Sequence, residues 1–126
     1  MHLIIDGYEG DVDKLTSEEV VREFLDLCPQ AIGMTKIAPP HVCRYMGPEP
    51  TDWGISGFVL IAESHISIHT FPARRLLWAD IFSCRPFDAP GAIEELRSRF
   101  GLASVQTTLL ERGLEHLPTA KVAYES

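Results

Sequence analysis

The sequence predicts an α+β protein, a two-layer α/β sandwich made of a mainly antiparallel sheet with two helices on one face. Three observations carry this. Short apolar or alternating stretches bounded by Gly, Pro and Asp recur along the chain and read as strands. Only two windows space their apolar residues as a helix does. No helical window separates the central strands, so the crossover that parallel pairing needs is missing and antiparallel pairing is expected. Both helices can then cover one face of one sheet.

Taken in order, His2 to Asp6 is an apolar strand that runs into a turn at Gly7. Thr16 and Glu19 form a Thr-x-x-Glu capping box, and Val20, Val21, Phe24 and Leu27 follow as the apolar face of the first helix. Pro29 is expected to end it, with Cys28 as core filling near its end. Ile32 to Ile37 and His41 to Met46 read as strands on either side of Pro39-Pro40, and 47–53 as a loop without regular structure. Gly54 to Ala62, with its unbroken Phe58-Val59-Leu60-Ile61, is the most buried-looking strand; Ser64 to Phe71 and Leu76 to Cys84 follow it. Asp88 is a good helix N-cap with Pro90 in the first turn. Ile93, Leu96 and Phe100 mark the buried face of that helix, and Gly101 ends it. Val105 to Leu110 is the last strand, and the rest, with Gly113 and Pro118, reads as a loose tail. The expected order is β-α-β-β-β-β-β-α-β in one domain, residues 1–126.

Composition narrows the function. A net charge of −7 over 126 residues argues against nucleic acid and against anionic membrane surfaces. Three cysteines, an odd number, no signal-like N-terminus and no long apolar span point to a cytoplasmic protein with reduced thiols.

The chemistry-bearing stretch is Glu63-Ser64-His65-Ile66-Ser67-Ile68-His69-Thr70, flanked by Gly54-Ile55-Ser56-Gly57 and Asp80-Ile81-Phe82-Ser83-Cys84. His65 and His69 are four apart, but the segment alternates as a strand does, so they stand roughly 13 Å apart. That is too far to share a zinc ion at about 2 Å from each nitrogen. His41 and Cys43 share a strand face without a second pair nearby, and packing is the preferred reading. No metal is expected. A hydrolase built on Ser64 lacks the Gly-x-Ser-x-Gly elbow, and strand parity points Ser64 away from His69.

These three pieces in this order resemble the small prokaryotic S-adenosylmethionine decarboxylases, most strongly over residues 52–88. The resemblance implies a self-cleaving pyruvoyl enzyme, cut between Glu63 and Ser64 into a β chain (1–63) and an α chain (64–126). The Ser64 hydroxyl attacks the Glu63 carbonyl to make an ester. Elimination frees Glu63 as a chain end, and the remaining dehydroalanine hydrolyses with loss of ammonia to a pyruvoyl group. Its ketone takes a substrate α-amine as a Schiff base and acts as electron sink for loss of CO2. The resemblance makes His69 the proton-transfer residue in processing, Ser56 its helper, and Cys84 the proton donor in decarboxylation. Phe71, Glu63 and His65 fall at substrate-binding positions. It also implies a homodimer, or a dimer of cleaved α/β pairs, with the site near the subunit boundary. The product, decarboxylated S-adenosylmethionine, feeds spermidine synthesis.

Two positions depart from the relatives. Ala73 stands where a ribose-binding Glu is usual, and Phe71 where Trp is usual. An Ala methyl accepts no hydrogen bond from vicinal hydroxyls. The same pyruvoyl chemistry on free arginine or ornithine is therefore the main alternative, with Asp52, Asp80 or Glu63 facing the far end of the substrate. A third reading is an uncleaved, inactive regulatory subunit.

Overall fold

The computed structural model describes residues 1–112. β1 (His2–Tyr8) is followed by a short helix α1 (Val12–Leu15) and by α2 (Glu18–Ala31). Then come β2 (His41–Tyr45), a 3-10 turn (Pro50–Asp52), β3 (Gly54–Ile61), β4 (Ser64–Phe71), a second 3-10 turn (Pro72–Arg74) and β5 (Leu76–Ser83). α3 (Ala89–Phe100) and β6 (Ser104–Leu110) complete the described chain. The strands form one six-stranded sheet in the order β2-β3-β4-β5-β1-β6, antiparallel at every junction. This is the expected α+β sandwich. The anticipated loose tail lies outside the described residues.

Register decides which side chains meet. Ile66 pairs with Val59 and Ile81, and Ile68 with Gly57 and Ala79; Leu3 and Ile5 continue the same face on β1. That face is dry, because Val21, Phe24, Leu25 and Cys28 of α2 and Ala92, Leu96 and Phe100 of α3 pack over it. Phe24 and Phe100 meet edge to face at 6.0 Å, joining the two helices. Each large side chain fully buried there contributes about 1.5–3 kcal/mol of transfer free energy.

Several local expectations are corrected. Thr16 does not cap α2. Ser17 does, its Oγ accepting from the Val20 N–H at 3.1 Å, while Thr16 closes α1 through a bond to the Val12 carbonyl. α1 itself is capped by Asp11, a short turn too brief to show helical spacing. Pro29 does not end α2, because near the C-terminus it forfeits one backbone bond only. The helix runs on to Ala31 and closes at Gly33 (φ +83°), where Met34 N–H reaches the Pro29 carbonyl and Gly33 N–H the Gln30 carbonyl. That pair of hydrogen bonds is a Schellman cap, and it needs a residue at ease with positive φ. It consumes the start of the expected strand 32–37, of which one bridge remains, Lys36 to Ile61. Leu27 is 45% exposed, and Leu25 takes the buried place predicted for it. The loop 47–53 contains one 3-10 turn.

β3 is not buried on both sides. Phe58 and Leu60 are 43% and 45% exposed, because both helices lie on the other face. The uncovered face also displays Tyr45 and Trp78, and all of the described histidines, His2, His41, His65 and His69, belong to strands at positions of this face.

Candidate active site

The Glu63–Ser64 bond lies where β3 turns into β4. Ile61 and Ser64 are register partners, so Ala62 and Glu63 alone make the turn. Glu63 sits at φ +60°. A non-glycine residue in the left-handed region costs of order 1 kcal/mol, and such strain gathers at functional sites. Across β4–β5, Ser64 pairs with Ser83, and Cys84 follows Ser83 directly. Cys84 is a free, exposed thiol. The end of the sheet therefore assembles Glu63, Ser64 and Cys84.

A second group forms at the other end of β4. Ser56 and His69 are register partners, and Ser56 Oγ and His69 Nδ1 share a hydrogen bond of 2.8 Å. Trp78 is the partner of His69 on β5, and its ring meets Phe71 edge-on at 4.8 Å. The strands can pack this closely because position 54 is glycine: a Cβ there would lie 1.8 Å from the Thr70 carbonyl oxygen. Thr70 is buried and locks the same spot, donating to the Leu15 carbonyl at 2.8 Å and accepting from the Ile55 N–H at 3.0 Å.

The structure does not bring the two groups together within one chain. His69 lies five residues along β4 from Ser64, roughly 17 Å, and alternation puts it on the open face while Ser64 falls with Ile66 on the helix side. His65 stays on the open face against Phe82, ring centroids 5.7 Å apart.

Two open clefts flank His69. One, of about 350 Å3, is lined by Tyr45, Asp52, Ser56, His69 and Phe71. The other, of about 380 Å3, is lined by His2, Asp6, Ser67, His69, Trp78 and Asp80. Asp52 accepts from Arg74 at 3.0 Å, and Arg75 donates from Nε to the Gly10 carbonyl at 2.9 Å. Asp80 accepts from Ser67 and bonds His2 Nε2 at 2.8 Å. Burial pushes the Asp80 carboxyl up, but the bonds from Ser67 and His2 and the nearby imidazoles of His2 and His65 outweigh it and hold it below its ordinary value. Trp78 is not marked by the sequence motifs; it is the β5 register partner of His69, a fact of strand pairing. No group of three or more potential metal ligands exists among the described residues.

The family model described as S-adenosylmethionine decarboxylase matches residues 1–113. The chain is 33% identical over 115 residues to the S-adenosylmethionine decarboxylase proenzyme of Aquifex aeolicus, covering 90% of this chain and 81% of that one. It is 37% identical over 83 residues to the proenzyme of Archaeoglobus fulgidus, covering 66% and 69%. The crystal structure of the adenosylmethionine decarboxylase from Aquifex aeolicus superposes with a TM-score of 0.70 at 28% identity, over 88% of this chain and 92% of that chain. Fold, relatives and family model define one class of enzyme, the carboxy-lyases. The chain belongs to the S-adenosylmethionine decarboxylase family.

Proposed function

We propose that this chain decarboxylates S-adenosylmethionine with a pyruvoyl group made from its own Ser64. The observation that carries the reading is the strained Glu63 closing a two-residue turn, with Ser64 after it and the Cys84 thiol one residue beyond the Ser64 partner. An acyl shift from nitrogen to oxygen runs uphill, and strain released on leaving the peptide offsets part of that cost. The cut yields residues 1–63 and 64–126.

The residues present suit the group. Ser64 heads a strand at the sheet's end and is not packed into the core. When formed, the pyruvoyl ketone supplies the electron sink that allows an α-carboxylate to leave as CO2. Cys84 is the proton donor for the carbon left behind, a free and exposed thiol next to the Ser64 register partner. Ser56 and His69 serve the processing reaction as a bonded pair, His69 moving the proton. Phe71, beside the same pair, offers a face for the adenine, while Glu63 and His65 border the reacting end.

Because His69 cannot reach Ser64 of its own chain, the pair acts on Ser64 of a second copy. The open sheet face offers a surface for that copy: Tyr45, Phe58, Leu60 and Trp78 all lie on it and are exposed. The working form is thus a homodimer, or a dimer of cleaved pairs, with two composite sites.

The named relatives favour S-adenosylmethionine over free arginine or ornithine, a reading that rests on Ala73. The test is to incubate the protein with S-adenosylmethionine, arginine and ornithine together and identify the amine by mass spectrometry. Decarboxylated S-adenosylmethionine is expected. Agmatine or putrescine instead would reassign the substrate, and no product from a cleaved protein would refute the activity.

A further inference from the structure

Two polar side chains are buried in the described core, Thr70 and Ser83. They are not equivalent. The Thr70 hydroxyl both donates and accepts, as described above. Ser83 is 1% exposed, and among the described residues its Oγ only accepts, from the Arg85 N–H at 3.0 Å. A hydroxyl has one hydrogen to give and two lone pairs, so toward the described side chains and backbone Ser83 keeps a lone pair and its hydrogen uncommitted, although it is buried.

Its position gives that spare capacity a use. Ser83 is the register partner of Ser64. Alternation places both side chains on the helix side of the sheet, and directly opposed Cβ atoms lie about 5 Å apart. Ser83 also borders a partly open cavity of about 110 Å3 beside Ile61 and Ala62, the residues leading into the turn, so the hydroxyl has room to rotate. Ser56 and His69, by contrast, stand on the opposite face.

We propose that Ser83 is a positioning residue for self-cleavage: it accepts the Ser64 O–H and so aims a Ser64 lone pair at the Glu63 carbonyl. The proposal rests on the reading of Ser64 as the site of the cut. In the step it assists, Ser64 Oγ bonds to the Glu63 carbonyl carbon, the bond from that carbon to the Ser64 nitrogen breaks, and the hydroxyl proton ends on the released amine. Ser83 is left unchanged. Arg85, through its backbone N–H, holds the Ser83 oxygen in place.

The experiment follows fresh proenzyme from a short cell-free synthesis and reads the fraction cut at Glu63–Ser64 by mass spectrometry over time. Ser83→Ala is expected to slow the cut roughly tenfold or more, the effect of losing one hydrogen bond to the reacting hydroxyl. Ser83→Thr keeps the hydroxyl and is expected to restore the rate. Melting of the uncut Ser64→Ala protein should be the same with and without Ser83→Ala, which separates positioning from packing. The proposal is overturned if Ser83→Ala cuts at the wild-type rate, if Ser83→Thr is as slow as Ser83→Ala, or if the double variant melts well below Ser64→Ala. A wild-type chain that stays whole under the same conditions overturns the cleavage reading, and this one with it. A wild-type chain that cuts normally beside an equally fast Ser83→Ala overturns the role of Ser83 alone.

Discussion

At the scale of single residues, Glu63 concentrates the chemistry. Its φ of +60° is a conformation that glycine adopts freely and glutamate does not. Glu63→Gly removes that strain. The account predicts a proenzyme more stable by up to about 1 kcal/mol and a cut slowed about fivefold, if the strain is released as the ester forms. Fragment appearance over time, and melting in a Ser64→Ala background, measure the two effects. None of this strain is visible in sequence: Ala62-Glu63 carries no Gly or Asn to advertise a positive φ. Ser56, Ser64, His69 and Cys84 were singled out in sequence by the resemblance of their three motifs to a family; alternation alone marked only polar residues on consecutive strands. Which pairs touch was not legible, since that depends on register. Ser56–His69 and Ser64–Ser83 are register facts.

At the scale of elements, α2 shows where local signals mislead. Thr16 and Ser17 are both good caps, and the sequence favours Thr16 by its box with Glu19. Asp11 recruits Thr16 to end α1, and Ser17 takes α2. Ser17→Ala should therefore cost about 1 kcal/mol and Thr16→Ala distinctly less, as read by chemical denaturation of the two variants. The buried face of α2 also sets a pH signature. Burial, reinforced by Glu95 and opposed by Arg99, pushes the Cys28 thiol from 9.0 to about 12. The unfolded chain ionises first, so this contribution is intact below pH 9 and is lost as pH rises from 9 toward 12. Thermal melts across that window should fall more steeply for wild type than for Cys28→Ala. A thiol reagent at neutral pH should likewise modify exposed Cys84 while sparing Cys28.

At the scale of the whole molecule, the fold class was legible because antiparallel pairing and one-sided helix cover follow from the missing crossover. The open face was not, because Phe58-Val59-Leu60-Ile61 reads as buried on both sides when nothing says how many layers exist. That face, with Ser56 and His69 on it and Ser64 turned away, is why the working site is assigned to two copies. Co-expression of Ser64→Ala with His69→Ala chains tests this. Each alone should stay uncut, and together the His69→Ala chain should be cut by the His69 of its neighbour. A mixture that stays whole would return the site to one chain and require β4 to bend.

The most direct test of the central claim is the intact mass of the purified wild-type protein beside Ser64→Ala. The account predicts two pieces, 1–63 and 64–126, the second with a pyruvoyl group in place of its first amino acid, and one whole chain for the variant. A wild-type chain that decarboxylates S-adenosylmethionine while remaining whole, or one cut anywhere but Glu63–Ser64, would contradict it.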